Sequence, residues 1–277
     1  MASGGWCSRV DSRWLTAYGP LVRAQVRSQA QYRASFVIDV AGSVLFGMLD
    51  VVAVFVLFRV SKTLAGFAFA DVFLMTALAN CAFAIADLLV GNVERLRVYV
   101  RSGLLDAVLV RPLGVLTQLA VMDVAARRVG RVVVAVGVLI VAAVNAGLAL
   151  TAARLVLLVV APAAGAVIFS AVFVGTASVA FWWIESGELG NALTYGGHDF
   201  TAYPMPIYGT VFRRLLAYGL GFAFVAYYPA LALLDRRDPL GAPAGLGYAS
   251  PLVAALVAAA AGLCWRRGVR HYRSTGS

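Results

Sequence analysis

The residues of this chain best placed to do chemistry are carboxylates and amides set inside long apolar stretches. Asp39, Ser43 and Asp50 fall close to one face of a helix, because offsets of four and eleven residues return to nearly the same angle. Thr76, Asn80 and Asp87 repeat that geometry thirty-odd residues later, and Asp71 lies elsewhere on the same helix. Carboxylates in an apolar medium are costly, so they face a bundle interior or water. Read functionally, Asp50, Ser43, Phe46, Asn80, Thr76 and Asp87 line a path for an amphipathic or cationic solute, with Asp50 near mid-stretch. Read structurally, the same groups make interhelical hydrogen bonds, and Asp39 and Asp87 sit near headgroups.

Other chemistries find little support. A phosphate-binding loop needs glycines followed by Lys and Ser or Thr. The single lysine, Lys62, sits in Arg59-Val60-Ser61-Lys62-Thr63 without them. His198 and His271 are the two histidines, far apart and outside any HExxH context, so metalloprotease or histidine-based nucleophile chemistry is disfavoured. Cys7, Cys81 and Cys264 are scattered and odd in number, and they make neither a disulfide framework nor a metal spacing. The chain reads as a non-enzyme with no cofactor or metal of its own.

The elements that position these polar groups are six apolar stretches: residues 36–58, 64–90, 132–153, 155–183, 215–234 and 248–265. A helix crosses the hydrocarbon core in about 20 residues, and it satisfies its own backbone there. With 62% hydrophobic and 13% charged residues and a mean hydropathy of +0.86 over 277 residues, a soluble domain is excluded. The expected fold is all-α: a polytopic membrane protein with six transmembrane helices at 36–265, an interfacial segment at 1–35 and a basic tail at 266–277. Pro162 and Pro229 are expected to bend spans four and five. Ala254, Ala258 and Gly262 are spaced for close helix contact in span six.

Basic residues give the orientation. Eighteen of the 23 share one side if there are six spans: five before span one, seven between spans two and three, Arg213 and Arg214 before span five, and four after span six. That side is the cytoplasm, and both termini are expected there. The net charge of +10 is thus largely a topology signal, and a nucleic-acid partner is disfavoured. Residues 1–35 hold no apolar run long enough for a signal-peptide core, so span one is expected to insert uncleaved.

The most patterned polar segment joins spans two and three. On a helix, Val93, Leu96, Val100 and Leu104 share one face, while Glu94, Arg97 and Arg101 line up on another. Such a helix rests on anionic headgroups or docks a partner, and the spacing leaves both open. A second amphipathic run covers 115–131 after Arg111-Pro112-Leu113, and a third, with Leu15, Tyr18, Val22 and Val26, lies between about Trp14 and Arg33.

The order of elements resembles a six-span permease of the ATP-binding-cassette exporters, type-2 class, in a subfamily similar to the daunorubicin and viologen exporter permeases. The similarity lies in Arg101-Ser102-Gly103-Leu104-Leu105-Asp106 through Leu113, Tyr203-Pro204-Met205-Pro206-Ile207-Tyr208, Tyr228-Pro229-Ala230-Leu231, and the tail from Trp265 to Gly276. Tyr195-Gly196-Gly197-His198-Asp199 departs from the pattern and receives no role. The resemblance implies a bacterial plasma-membrane exporter subunit that pairs with a second permease, as a homodimer or similar heterodimer, among membrane lipids. It also implies a separate ABC ATPase subunit that holds ATP and Mg. On that likeness the ATPase-coupling helix is Val93, Glu94, Arg95, Leu96, Arg97, Val100 and Arg101, ended by Gly103 and Asp106. A proton-coupled secondary transporter working through intramembrane Asp residues is the alternative.

Overall fold

A computed structural model describes residues 33–110, 114–121, 126–149 and 151–272. The expected N-terminal helix near 14–33, the 111–113 break, part of the 115–131 run and the last five residues lie outside them, as do the side chains of Asp39, Ser43 and Phe46. The described residues form an all-α bundle: α1 (Arg33–Val60), α2 (Phe69–Val90), α3 (Leu96–Arg101), α4 (Leu104–Leu109), α5 (Val115–Val121), α6 (Ala126–Asn145), α7 (Ala152–Ser178), α8 (Gly187–Thr201), α9 (Thr210–Phe212), α10 (Tyr227–Leu234) and α11 (Ser250–His271).

The bundle is apolar outside as well as inside. Val133, Ile140 and Val144 on α6, Val156 and Val159 on α7, and Leu252, Leu256 and Leu263 on α11 are all exposed. Such a surface would be strongly unfavourable in water, at about 25 cal/mol per Å², and is at home in lipid. Between helices, where lipid supplies no hydrophobic drive, small residues allow close backbone approach. A side chain at Gly165 of α7 would meet the Ala82 methyl of α2 at 2.8 Å. On α11 the buried small residues are Ser250, Ala254, Ala261 and Gly268, not the expected 254–258–262 stripe, and Gly262 has open space around it.

Among the described residues, four helical stretches are long and apolar enough to cross a membrane: Phe69–Arg101, Arg128–Asn145, Ala152–Phe181 and Ser250–His271. The expected 36–58 span lies within α1, which is 28 residues long. The expected 64–90 span starts later, at Phe69, because Leu64 and Phe67 pair across a turn with Ala65 and Gly66 at positive φ. The 215–234 span is not one rod: Thr210–Gly219 and Phe222–Leu234 meet at 67°. The bend is at Gly221, whose φ is +77, and not at Pro229. Pro229 falls in the first turn of α10, where the missing N–H would be unsatisfied anyway. Pro162 stands inside an unbroken α7.

Charge clusters mark both ends of α2. At one end Asp71 caps the helix, accepting the Ala68 N–H at 2.8 Å, and pairs with Arg236 at 2.8 Å. At the other end Asp87 pairs with Arg131 at 2.9 Å and Arg128 at 3.4 Å. The two carboxylates are sixteen residues apart, about 24 Å along a helix, close to the depth of a hydrocarbon core. Tyr218, in the Arg213–Gly219 turn, hydrogen-bonds Tyr228 at 3.1 Å, and the adjacent Tyr227 packs on Phe67 and hydrogen-bonds Asp238. The Arg213–Gly219 turn is therefore in the Asp71 half of the bundle, away from the Arg128–Arg131 end with which the charge count had grouped its arginines.

Candidate functional site: a docking element and an intramembrane polar cluster

The chain continues from α2 into a 3-10 turn, Gly91–Arg95, and then into α3. The apolar positions of this segment are buried as the spacing indicated: Val93, Leu96 and Val100 pack with Leu105, Val108, Leu119, Phe181 and Trp265. Leu104 is the exception, at 53% exposed. Gly103, at φ +69, resets the backbone, so that Leu104 turns outward and Leu105 inward. Gly103 therefore supplies the helix stop. Asp106 lies within α4 and accepts a hydrogen bond from Tyr272 at 3.1 Å, tying the end of α11 to this layer. Burial and the Asp106 carboxylate both raise the pKa of Tyr272, which keeps the phenol a donor. Gly103→Ala forces a left-handed conformation on a residue with Cβ and is expected to cost about 1–2 kcal/mol, measurable as a lower unfolding midpoint.

Glu94, Arg97 and Arg101 share a face, and that face meets the connection between α7 and α8. Arg101 pairs with Glu185, both side chains largely exposed. Arg97 lies against Gly187, where any side chain would collide with the guanidinium. Glu94 accepts a hydrogen bond from Tyr195 at 3.3 Å. A cleft of about 420 Å³ opens beside them, lined by Arg97, Val98, Arg101, Ser102, Ile184 and Glu185. Arg95, Arg97, Val98 and Arg101 present an exposed basic and apolar surface. Asn92, unremarked in the sequence, donates to the Leu119 carbonyl at 2.6 Å, and Gln118 donates to the Val108 carbonyl at 3.0 Å. These amides fasten the element to α4 and α5.

The path residues divide into two groups. Thr76 donates to the Val72 and Ala202 carbonyls, both at 2.9 Å. Asn80 Oδ1 lies 2.6 Å from His198 Nε2, and the half-buried Asp50 of α1 is near enough to both Asn80 and His198 to interact with them. Asn80 Oδ1 is a carbonyl oxygen and can only accept, so His198 Nε2 is the donor in this contact. His198 Nδ1 faces Asp199 at 3.4 Å. A polar chain Asp50–Asn80–His198–Asp199 thus joins α1, α2 and α8, with the Phe83 ring 4.5 Å from the imidazole. Asp87 is not part of it; it is buried against α6 in the ion pair with Arg128 and Arg131.

Sequence reading missed α8, the element that completes this cluster. Its four glycines resemble a loop, yet Thr194, Gly197 and Thr201 are buried at offsets of three and four, a helical face. Gly197 is required there because the Phe222 ring lies where a side chain would go.

An all-α bundle with lipid-facing apolar surfaces, charged ends and a polar seam defines a multi-pass membrane transport protein. The family described as ABC-2 family transporter protein matches residues 44–276, and the chain belongs to it. It is a permease of the ABC transporter class, a membrane transport subunit, and that class works with a partner ATPase. The match is to the family and does not reach the daunorubicin-like subfamily. No curated protein and no solved structure matches the chain. Family membership lends the proton-coupled alternative no support.

Proposed function

We propose that this permease exports an amphipathic or hydrophobic substrate across the bacterial plasma membrane by alternating access, driven by a separate ATPase that docks on residues 91–101. Six spans with both termini cytoplasmic, α1 among them, and a second permease complete the transporter. The observation that carries this reading is the two-sided character of the docking element. Val93, Leu96 and Val100 are anchored in the bundle, while Arg95, Arg97, Val98 and Arg101 are presented outward at the Asp87 end. An element gripped on one side and exposed on the other is suited to receive motion from a partner. In this reading Asp50, Asn80 and Thr76 border the translocation path, ATP and Mg reside in the partner, and Asp87 holds the bundle together.

The test is purification in mild detergent from the native host. A soluble subunit bearing a phosphate loop should copurify, and the complex should hydrolyse ATP. Proton-driven transport by the isolated chain, with no such subunit, would refute the reading.

A further inference from the structure

Between the docking element and the intramembrane cluster runs α8, and it touches both. Gly187 at its start lies against Arg97, and Tyr195 at its middle bonds Glu94. Three residues further, one turn along the same face, His198 bonds Asn80 at 2.6 Å, and after another turn the Ala202 carbonyl accepts from Thr76 at 2.9 Å. The polar ties between α8 and the segment from α2 to the docking element are thus spaced along one face, beside the Phe83 ring that packs on Tyr195 and His198. α2, in contrast, is buried over most of its length against apolar neighbours. Close-packed apolar helices resist sliding, since each shift opens voids or overlaps. Directional hydrogen bonds either form or do not, and they give an element two discrete arrangements.

We propose that α8 is the lever that passes movement of the docking element to the membrane interior, with Tyr195 and His198 as its positioning residues. This rests on the reading of residues 91–101 as the ATPase contact. When that element shifts, the Glu94–Tyr195 bond draws the middle of α8 with it. The displacement arrives at the cluster as a loosened His198–Asn80 bond beside Asp50. Neither Tyr195 nor His198 needs to touch the transported solute. The glycines at 187, 190 and 196 fit this role, because α8 is lightly packed at the latter two: Gly196 has nothing within reach of an added side chain, and Gly190 has only Thr176 at 3.9 Å.

The chain's two histidines make the test direct. Full-length protein labelled with 15N-histidine in lipid nanodiscs gives ring signals from His198 and His271. Tyr195→Phe keeps the ring against Phe83 and removes the hydroxyl that reaches Glu94. The expected result is a shifted His198 ring signal and Nε2–H exchange with water about threefold faster, the size of a weak, partly exposed hydrogen bond, while His271 is unmoved. Glu94→Gln, a weaker acceptor in the same place, should shift His198 in the same direction, and it serves if Tyr195→Phe fails to fold. A His198 signal that moves in neither variant overturns the lever. In the copurified complex, Tyr195→Phe should lower transport per ATP hydrolysed without loss of the ATPase subunit. If no ATPase binds at all but His198 still responds to Tyr195→Phe, the docking reading fails and the mechanical link stands.

Discussion

Asp87→Asn is expected to destabilise this protein by about 3–5 kcal/mol, the cost of removing one member of a buried ionic cluster. Asp87 is 5% exposed, and both Arg128 and Arg131 come to its carboxylate. An asparagine fills the same space, so the loss is electrostatic: two guanidinium groups keep their desolvation cost without a counter-charge. The Arg128 Nη1 atom already lacks a hydrogen-bond partner, so no nearby group is placed to take over. The reciprocal change Arg128→Met should cost less, since Arg131 still neutralises Asp87. Thermal unfolding in detergent, followed by tryptophan fluorescence, checks both. If Asp87→Asn unfolds no earlier than Arg128→Met, Asp87 is not what holds α2 to α6.

The Arg97→Glu, Arg101→Glu double variant should lose most of its transport, about tenfold or more, as expected when like charges replace complementary ones at a contact, with the fold retained. Both arginines are exposed, and neither is buried in the apolar layer beneath. Reversal also sets a second carboxylate beside Glu185 in place of the Arg101 guanidinium, but that pair is solvent-exposed and its loss alone is worth little. ATPase activity of the complex and transport in proteoliposomes should therefore separate from unfolding midpoint: the first two change and the last does not. Unchanged transport and ATPase stimulation would remove Arg97 and Arg101 from the docking surface.

The parts of this architecture legible in the sequence are those with a local period. Apolar runs located the long helices, and the three-to-four spacing of Val93, Leu96 and Val100 identified the buried face of the 91–101 segment. What was not legible depends on partners distant in the chain. Asp87 read equally as a path residue or as a group near the headgroups, and nothing local announces its partners Arg128 and Arg131, some forty residues away. Asn80 and Thr76 read as a face without a neighbour, because α8 is polar and glycine-rich and its burial depends on Phe222 and Phe83. Pro229 drew attention as the bend, although the positive φ of Gly221 makes it. Leu104 read as buried because a single glycine phase shift is invisible to a continuous helical wheel.

The most direct test of ATPase docking is a photo-crosslinking residue at Val98, 54% exposed on α3, in the full-length protein in native cells. A second crosslinker at Val133, 67% exposed on α6, serves as the lipid-facing reference. Docking at residues 91–101 predicts a Val98 adduct with a subunit that carries a phosphate loop and none from Val133. A Val98 crosslinker that captures only lipid, while the ATPase is demonstrably present and active, would contradict it.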